Sequence, residues 1–296
     1  MKPMLCKKAG TDILSSKRYI FQPKLDGTRA LYSANQLINR RGKNIISRYP
    51  EFSTLEIEEN NIIDGEVIIY NDKGIPDFSL LQSREQTSNK FKIELLSKQI
   101  PATYVVFDCL EYQGKDITDC NLEERMKFLK KSVKESKHLE IIFSSEDGKK
   151  LWMTIKEYGV EGVIAKKKNS KYFPGKRSDK WLKIKNLKTI DCVILGYTKG
   201  EGKREETFGA LIIGAYNNNK LINLGKVGTG WSDKELIDLK ERMDKIIKEK
   251  RDNKIFLNPK LVCEVEYLDL TENNDLRAPS FKRLRFDKDP KDCILE

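Results

Sequence analysis

The sequence predicts an α+β fold in two domains. Its first two-thirds alternate short strand-like runs with amphipathic helices, without the strict strand–helix–strand repetition of a parallel sheet. Its last third reads as three strands, a helix and two strands, the order expected for a five-stranded OB-type barrel. A length of 296 residues is enough for two cores. We therefore expect the domains to span residues 1–188 and 189–296.

Strands of the first domain are predicted from apolar, β-branched or aromatic runs that end at turn residues. These runs are Arg18–Gln22, Thr28–Ser33, Gln36–Ile38, Asn44–Ser47, Ile62–Tyr70 and Thr103–Leu110. The third and fourth runs flank Arg-Arg-Gly-Lys, which indicates a hairpin between them.

Two helices of the first domain have clear start signals. Asn121 and Glu124 have the spacing of a capping box, and an apolar stripe follows them. A second helix is predicted near Glu146–Tyr158, and Gly159 fits its C-terminal stop.

The second domain is predicted from the same signals. The strand-like runs are Ile190–Tyr197, Phe208–Tyr216, Leu221–Val227, Leu261–Leu268 and Phe281–Phe286. Between the third and fourth runs, Ser232 and Glu235 form a capping box for a helix with one apolar face.

Composition excludes several classes of protein. Hydrophobic residues make up 39% of the chain, too many for a disordered protein, and no apolar run is long enough to span a membrane. The N-terminus has no apolar core of a secretion signal, so we expect a cytoplasmic protein, nucleoid-associated if the source is prokaryotic. An excess of 56 basic over 45 acidic residues favours a polyanionic partner, nucleic acid above all, although a solvated basic surface gives the same count.

Cysteine and histidine usage narrows the chemistry. The six cysteines form no CxxC pair, and His138 is the single imidazole of the chain. A structural zinc site, a disulfide framework and proton transfer among several histidines are therefore not expected.

The most informative segment is Lys-Leu-Asp-Gly-Thr-Arg at residues 24–29. A lysine at a strand end, partly desolvated and close to Arg29, is a candidate nucleophile because both influences favour its neutral amine. Such an amine can attack an α-phosphate and hold the nucleotide as a phosphoramidate. On its own the segment fits a hairpin turn with surface charges equally well.

Further segments strengthen the interpretation. Asp-Gly-Glu-Val at residues 64–67 and Glu-Gly-Val-Ile-Ala-Lys at 161–166 place carboxylates in or beside apolar strands, where a charge is costly unless it binds a cation or a ligand. In Trp-Leu-Lys-Ile-Lys at 181–185, the period of two directs Lys183 and Lys185 to one face, as binding of phosphate oxygens requires. Residues 277–288 form a dense cationic patch.

These ordered motifs, together with the Phe-Asp pair at 107–108, resemble those of ATP-dependent DNA ligases of the covalent nucleotidyltransferase superfamily. Residues 196–202, 225–231 and 284–290 are most similar to the ligase module of end-joining ligase D. The resemblance covers almost the whole chain. It implies a nucleotidyltransferase (adenylation) domain followed by an OB-fold domain, with ATP as AMP donor and Mg²⁺ or Mn²⁺ as metal.

The resemblance also implies roles for individual residues. Lys24 matches the adenylated nucleophile, and Gln22, where ligase D usually has Glu, matches the position that reads the adenine edge. Glu66 matches the ribose-contacting carboxylate, Phe107 the ring that stacks on adenine, and Glu161 the metal-binding carboxylate. Arg29 and Arg40 match phosphate-binding arginines, and Arg40 matches the one that holds the phosphate of the nick. Lys183 and Lys185 match the lysines that bind the α-phosphate, and Asp26, with Glu66, matches a residue for metal binding or sealing. The residues that match the pyrophosphate-orienting motif are Arg277, Arg285, Asp287 and Lys288.

The implied mechanism is a series of three in-line phosphoryl transfers, from ATP to Lys24, from Lys24 to a 5′-phosphate, and finally to closure of the strand by the 3′-hydroxyl. Because Arg285 and Lys288 belong to the second domain, that domain is expected to close over ATP in the first step and then to swing away to grip DNA.

Two alternatives stay open. An RNA ligase or mRNA-capping guanylyltransferase shares the lysine–nucleotide chemistry, and a DNA-binding adaptor that has lost catalysis shares the basic surface. We expect a monomeric, free-standing ligase acting on nicked duplex DNA, with no fused polymerase or phosphoesterase and with separate end-joining or repair proteins as partners.

Overall fold

The computed structural model describes residues 1–271 and 273–295. The chain divides into two compact units, Met1–Asn186 and Leu187–Glu296. Unit 1 combines mixed sheets with four α-helices, and unit 2 is a curled sheet with one helix, in the part of the chain that the structure describes. The prediction of an α+β fold is therefore confirmed. Within the described residues, no helix has both the length and the apolar character needed to cross a bilayer.

Unit 1 contains twelve strands and four helices among its described residues. The strands are β1 (Leu5–Lys8), β2 (Tyr19–Pro23), β3 (Thr28–Ser33), β4 (Gln36–Asn39), β5 (Glu56–Ile57), β6 (Ile62–Ile68), β7 (Thr103–Tyr112), β8 (Lys115–Asp116), β9 (Val133–Lys134), β10 (Leu139–Ile141), β11 (Gly162–Lys167) and β12 (Arg177–Lys185). The helices are α1 (Phe78–Glu85), α2 (Lys90–Gln99), α3 (Leu122–Ser132) and α4 (Gly148–Glu157), with 3₁₀ turns at Thr11–Ser15, Ile46–Arg48 and Pro50–Thr54.

Two sheets of unit 1 position the site. One has the order β1-β12-β11-β2, and the other has the order β10-β7-β6-β3-β4 with β8 paired to β7. Strand β7 lies inside the second sheet, and its first eight residues are buried because both of its faces are covered. The first sheet is antiparallel except for β1, which pairs with β12 in parallel.

The predicted helices are confirmed with small shifts. Helix α3 begins with the reciprocal capping box of Asn121 and Glu124. Helix α4 is capped by the Asp147 side chain, which accepts from the Lys150 amide, and the chain leaves it through Gly159 at a φ of +67°.

Three features of unit 1 differ from the prediction. Helices α1 and α2 were not predicted, since their apolar residues form no continuous stripe, and Phe91 on α2 is 77% exposed. The strand predicted at 44–47 is wrong. Asn44 forms one isolated bridge to Ile38, and a 3₁₀ turn follows because the Asn44 side chain accepts from the Leu37 and Ile46 amides.

Unit 2 has seven strands and one α-helix among the described residues. They are β13 (Lys188–Lys199), β14 (Phe208–Asn217), β15 (Lys220–Val227), α5 (Asp233–Asp244), β16 (Ile247–Arg251), β17 (Lys254–Leu257), β18 (Val262–Tyr267) and β19 (Ser280–Leu284), with 3₁₀ turns at Gly202–Arg204 and Pro290–Asp292. Long β13 pairs with β14, β17 and β18, which curls the sheet around a buried core. The β16–β17 hairpin is an addition to the predicted five strands.

Candidate active site

A cavity of about 570 Å³ opens between the two sheets of unit 1. Its volume is in the range that holds a nucleotide-sized ligand. Apolar walls come from β7, β11, β12 and the segment after β10, through the side chains Phe107, Ile164, Trp181 and Ile142. Nine cationic side chains also line it: Lys24, Arg29, Arg40, Arg41, Lys43, Arg48, Lys166, Arg177 and Lys183. A ligand with a flat apolar part and a separate, negatively charged part fits this lining.

Lys24 is fixed at the end of β2 by backbone and side-chain contacts. Its amide donates to the Gly162 carbonyl at 2.8 Å, and its ammonium forms an ion pair with Glu161. Lys185 approaches the other carboxylate oxygen of Glu161 at 3.4 Å. One carboxylate is therefore shared by two lysines, a pairing that the sequence motifs did not predict.

A glycine permits this arrangement. Gly162 has a φ of +153°, and a Cβ at this position would lie 2.1 Å from the Ile184 carbonyl oxygen. A side chain there would separate β11 from β12 and move Glu161 away from Lys185.

The register of the first sheet arranges the cavity-facing residues in rows. In the first row, Gly162 of β11 is the partner of Lys185 on β12. On the other side of β11, Pro23 is the partner of Val163, so Lys24, the next residue, lies beside Gly162. In the next row Ile164 is the partner of both Gln22 and Lys183. In the third row, Lys166 is the partner of Trp181. Alternation along β11 places Val163 and Ala165 in the core on the opposite face.

Arg29 is held by the walls of the cavity. Its guanidinium binds both carboxylate oxygens of Asp64, at 2.9 and 2.6 Å, and also donates to the Met4 carbonyl at 2.6 Å. It lies 5.3 Å from the ring centroids of both Phe107 and Trp181. The hydrogen bonds therefore fix its charge beside the cavity, with part of the guanidinium already committed to Asp64.

Glu66 is a carboxylate of β6 that lines the cavity. Burial raises the pKa of Glu66 to about 7, against the opposing effect of Lys24 and Arg29, and Glu161 adds to the rise. Within residues 1–271 and 273–295, no cluster of three or more His, Cys, Asp and Glu side chains forms a metal site. Mg²⁺ commonly binds one or two carboxylates together with substrate phosphates. Glu66 and Glu161 are the carboxylates here that would bind such an ion together with substrate phosphates.

Phe107 is positioned by a buried ion pair on its neighbour. Asp108 accepts from Arg125 Nε at 2.8 Å and from a second guanidinium nitrogen at 3.0 Å, and neither side chain is exposed. Arg125 also donates to the carbonyls of Cys120 and Ser170. These contacts anchor β7 on α3 at the point where the Phe107 ring enters the cavity.

Lys166 is a buried cation that the sequence motifs assigned to no role. It is 2% exposed, donates to the Phe107 carbonyl at 2.9 Å, and lies 4.3 and 4.0 Å from the Phe107 and Trp181 ring centroids. Burial lowers the pKa of Lys166 to about 7. Alternation along β11 puts Lys166 on the same face as Ile164, which also lines the cavity.

Replacing Lys166 with methionine should change the pH dependence of stability. Because the folded-state pKa, about 7, lies below the ordinary value of 10.5, the unfolded chain binds more protons between these values, and wild-type stability rises with pH there. Methionine does not titrate, so the free energy of unfolding of Lys166→Met lacks this rise. We expect the difference in unfolding free energy, variant minus wild type, to fall by about 1 kcal/mol per pH unit between about pH 8 and pH 10.

Urea unfolding across this pH range measures the effect, and Lys171→Met is the control because Lys171 is 58% exposed. A stability difference that stays constant with pH, in Lys166→Met as in the control, would contradict the buried-cation interpretation.

Of the remaining predicted residues, two lie in loops of unit 1 and the others lie in unit 2. Arg40 is exposed in the turn after β4, and Asp26 is partly buried in the loop between β2 and β3. In unit 2, Arg285 binds Asp191, at 2.9 and 3.1 Å, and also Asp287. Lys288 approaches Asp191 at 3.3 Å, and the Arg277 amide donates to the Asp269 carbonyl.

Sequence reasoning missed several cavity residues besides Lys166. Arg41, Lys43, Arg48 and Arg177 line the cavity, and their sequence signal was only their closeness to Arg40 or to the strand of Lys183. Ser144, which contacts Gln22, belongs to no motif.

Family models identify the chain. One described as the ATP dependent DNA ligase domain matches residues 3–185, and one described as the ATP dependent DNA ligase C terminal region matches residues 204–288. The first match alone covers more than half of the sequence. The chain belongs to the ATP-dependent DNA ligase family. The predicted family resemblance is thereby confirmed.

Individual proteins similar to this chain support its assignment to the DNA ligase family. It is 30% identical over 312 residues to the multifunctional non-homologous end joining protein LigD of Mycolicibacterium smegmatis, a match that covers 99% of this chain and 39% of the relative. Its structure is similar to that of the ligase domain of M. tuberculosis LigD, with 27% sequence identity and a TM-score of 0.55, and the match covers 100% of this chain and 98% of that domain. A mycobacterial DNA ligase D complexed with ATP and MES matches at 25% identity and a TM-score of 0.54.

These matches settle the fold of the ligase family chain. They confirm a nucleotidyltransferase fold and an OB fold. The chain spans about 40% of the length of the LigD relatives that it matches.

Proposed function

We propose that this chain is an ATP-dependent DNA ligase that seals 3′-hydroxyl/5′-phosphate nicks through a lysyl-AMP intermediate and DNA-adenylate. The observation that carries the proposal is Lys24, whose ammonium is paired with Glu161 at the wall of a cationic, nucleotide-sized cavity. Family membership and a relative that binds ATP support ATP as the nucleotide.

In the first reaction the neutral amine of Lys24 attacks the α-phosphorus of ATP. A P–N bond forms, the bond to the bridging oxygen breaks, and pyrophosphate leaves with the electron pair. Lys183 and Lys185 stabilise the charge on the phosphoryl oxygens, and Arg29 adds its fixed positive charge. Glu161, the ion-pair partner of the Lys24 ammonium, accepts the proton whose loss frees the amine, and pyrophosphate takes up the second proton that the nitrogen loses as the P–N bond forms.

The base and sugar of the nucleotide are bound by the remaining walls. Phe107 stacks on the adenine, Gln22 reads its edge, and Glu66 binds the ribose. Mg²⁺ or Mn²⁺, held by Glu161, Glu66 and Asp26, would neutralise phosphate charge. Burial raises the pKa of Glu66, so a cation bound beside it would favour its ionised form.

In the second and third reactions AMP passes to the 5′-phosphate of the nick, and the 3′-hydroxyl then displaces AMP as the new phosphodiester forms. Arg40, exposed at the cavity mouth with Arg41 and Lys43 beside it, binds the nick phosphate. Arg277, Arg285, Asp287 and Lys288 orient the pyrophosphate of ATP during the first reaction.

At the level of the whole protein, we propose residues 1–188 as the adenylation domain and residues 189–296 as the OB-fold domain. The substrate is nicked duplex DNA, and the setting is DNA repair or end joining in the cytoplasm, as a monomer with separate partner proteins. The similarity to LigD supports the setting.

Labelling with ³²P at the α-phosphate tests the proposal. With Mg²⁺, protein-bound label from ATP but not from GTP supports a ligase over a capping guanylyltransferase, and any label excludes the adaptor alternative. Sealing of a nicked DNA duplex, compared with a nicked RNA duplex, then separates a DNA ligase from an RNA ligase. Absence of both label and sealing would overturn the proposal.

Arg285→Ala is expected to slow formation of the lysyl-adenylate by about 10²-fold, because it removes a charged donor from pyrophosphate. Sealing of a nick that already carries AMP should change little, since no pyrophosphate is present in that reaction. Arg283→Ala is the matched control, because Arg283 is an exposed arginine of β19 that pairs with Glu264 of β18. Equal losses in both reactions, or in both variants, would contradict the assignment.

A further inference from the structure

The segment between β10 and α4 passes beside the cavity and holds a hydroxyl in place. The Ile142 amide donates to the Val106 carbonyl of β7 at 2.9 Å. Ser145 and Phe21 of β2 exchange both of their backbone hydrogen bonds, each at 2.8 Å. Ser144 lies between these two anchors, so its position relative to both sheets is fixed.

The Ser144 hydroxyl contacts Gln22, which is 1% exposed and lines the cavity. Gln22 Nε2 donates to Ser144 Oγ at 3.0 Å. Ser144 Oγ in turn lies 3.4 Å from the Ile142 carbonyl oxygen. A carbonyl oxygen only accepts, so the hydroxyl hydrogen is directed to Ile142 and the oxygen lone pairs face Gln22. This direction requires the nitrogen of the Gln22 amide, and not its oxygen, at Ser144.

The Gln22 amide oxygen consequently remains available to a ligand. Across residues 1–271 and 273–295 it accepts no hydrogen bond from another side chain or backbone group. Ile164, its partner across the strands, and the Phe107 ring supply apolar walls that fit a flat purine. Lys24 follows two residues later on the same chain, about 7 Å along it, which directs the base of a nucleotide bound at Lys24 to this row.

We propose that Ser144 is a positioning residue that sets the choice of adenine over guanine by fixing the Gln22 amide. The oxygen presented to the purine accepts from the 6-amino group of adenine and repels the 6-oxygen of guanine. A glutamine free to rotate by 180° offers its nitrogen to the guanine oxygen equally well, so Gln22 alone does not discriminate. This inference rests on the proposed adenylation at Lys24.

The test compares initial rates of Lys24 labelling from ATP and from GTP, each labelled at the α-phosphate, as a function of nucleotide concentration. Ser144→Ala should lower the ratio of ATP to GTP efficiency by about tenfold or more, because the amide is no longer held. The loss should come mainly from a higher KM for ATP and newly detectable labelling from GTP. Ser144→Thr retains the hydroxyl and should retain the preference. Ser144 is exposed, so neither substitution disturbs the core.

A second variant separates orientation of the amide from a merely structural role. A carboxylate has no N–H group and accepts in either orientation, so Gln22→Glu should make the preference independent of Ser144. Adding Ser144→Ala to Gln22→Glu should then leave the ATP to GTP ratio unchanged. An unchanged ratio in Ser144→Ala alone, or an equal loss in both backgrounds, overturns the inference while the proposed function stands. No labelling of the wild type by either nucleotide overturns both.

Discussion

Replacing Lys24 with arginine should abolish formation of the covalent adenylate, with a loss of about 10⁴-fold or more. The guanidinium keeps the positive charge and the ion pair with Glu161, but it stays protonated and has no lone pair for attack on phosphorus. Transfer of ³²P from ATP to the protein, followed under single-turnover conditions, measures the loss.

The substitution should spare the last chemical step. A nick that already carries AMP needs no amine from Lys24, so Lys24→Arg should seal it within about tenfold of the wild-type rate. Lys171→Arg, at an exposed lysine, is the control for overall folding and labelling. Label on the protein at the wild-type level in Lys24→Arg would mean that another residue is the nucleophile.

Replacing Asp108 with alanine should lower the free energy of unfolding by about 3–5 kcal/mol. The substitution leaves the guanidinium of Arg125 buried without its carboxylate, and both side chains are fully buried in the native protein. Urea unfolding followed by circular dichroism measures the change. Loss of the anchor beside Phe107 should also weaken ATP binding.

A double substitution identifies the source of the cost. Asp108→Leu with Arg125→Met removes both charges and should be less destabilising than either single change to alanine, since no uncompensated charge remains. Asp119→Ala breaks a pair with Lys171 whose side chains are 89% and 58% exposed, and it should cost less than about 1 kcal/mol. A double variant less stable than both single variants would contradict the explanation.

Much of the fold was predictable because its local signals agree with its tertiary environment. The runs that became β3, β6 and β7 are apolar and β-branched or aromatic, and the sheets bury them. The capping boxes of α3 and α5 predicted helix starts to within a residue. Helices α1 and α2 and the β16–β17 hairpin were not predicted. Their exposed and charged residues show neither the 3.6-residue period of a helix nor the two-residue period of a strand clearly.

The site was predictable where a motif lies on adjacent strands. Lys24, Glu161 and Lys185 meet because β2, β11 and β12 are neighbours in one sheet, so short motifs fix their separation. The partners of these motifs were not predictable. Nothing local to Arg29 indicates that Asp64 and the Met4 carbonyl bind it, and Ser144 reaches Gln22 only through the packing of a loop.

The contact of Arg29 with Met4 has a consequence for synthesis of the protein. The Met4 amide also donates to the Tyr172 hydroxyl, 168 residues along the chain, and β1 pairs with β12. During translation the first strand therefore has no docking partner until almost all of unit 1 has left the ribosome. The cavity is among the last parts of unit 1 to be completed, and a nascent chain stalled before β12 contains Lys24 without Trp181 and Lys183 of the cavity lining.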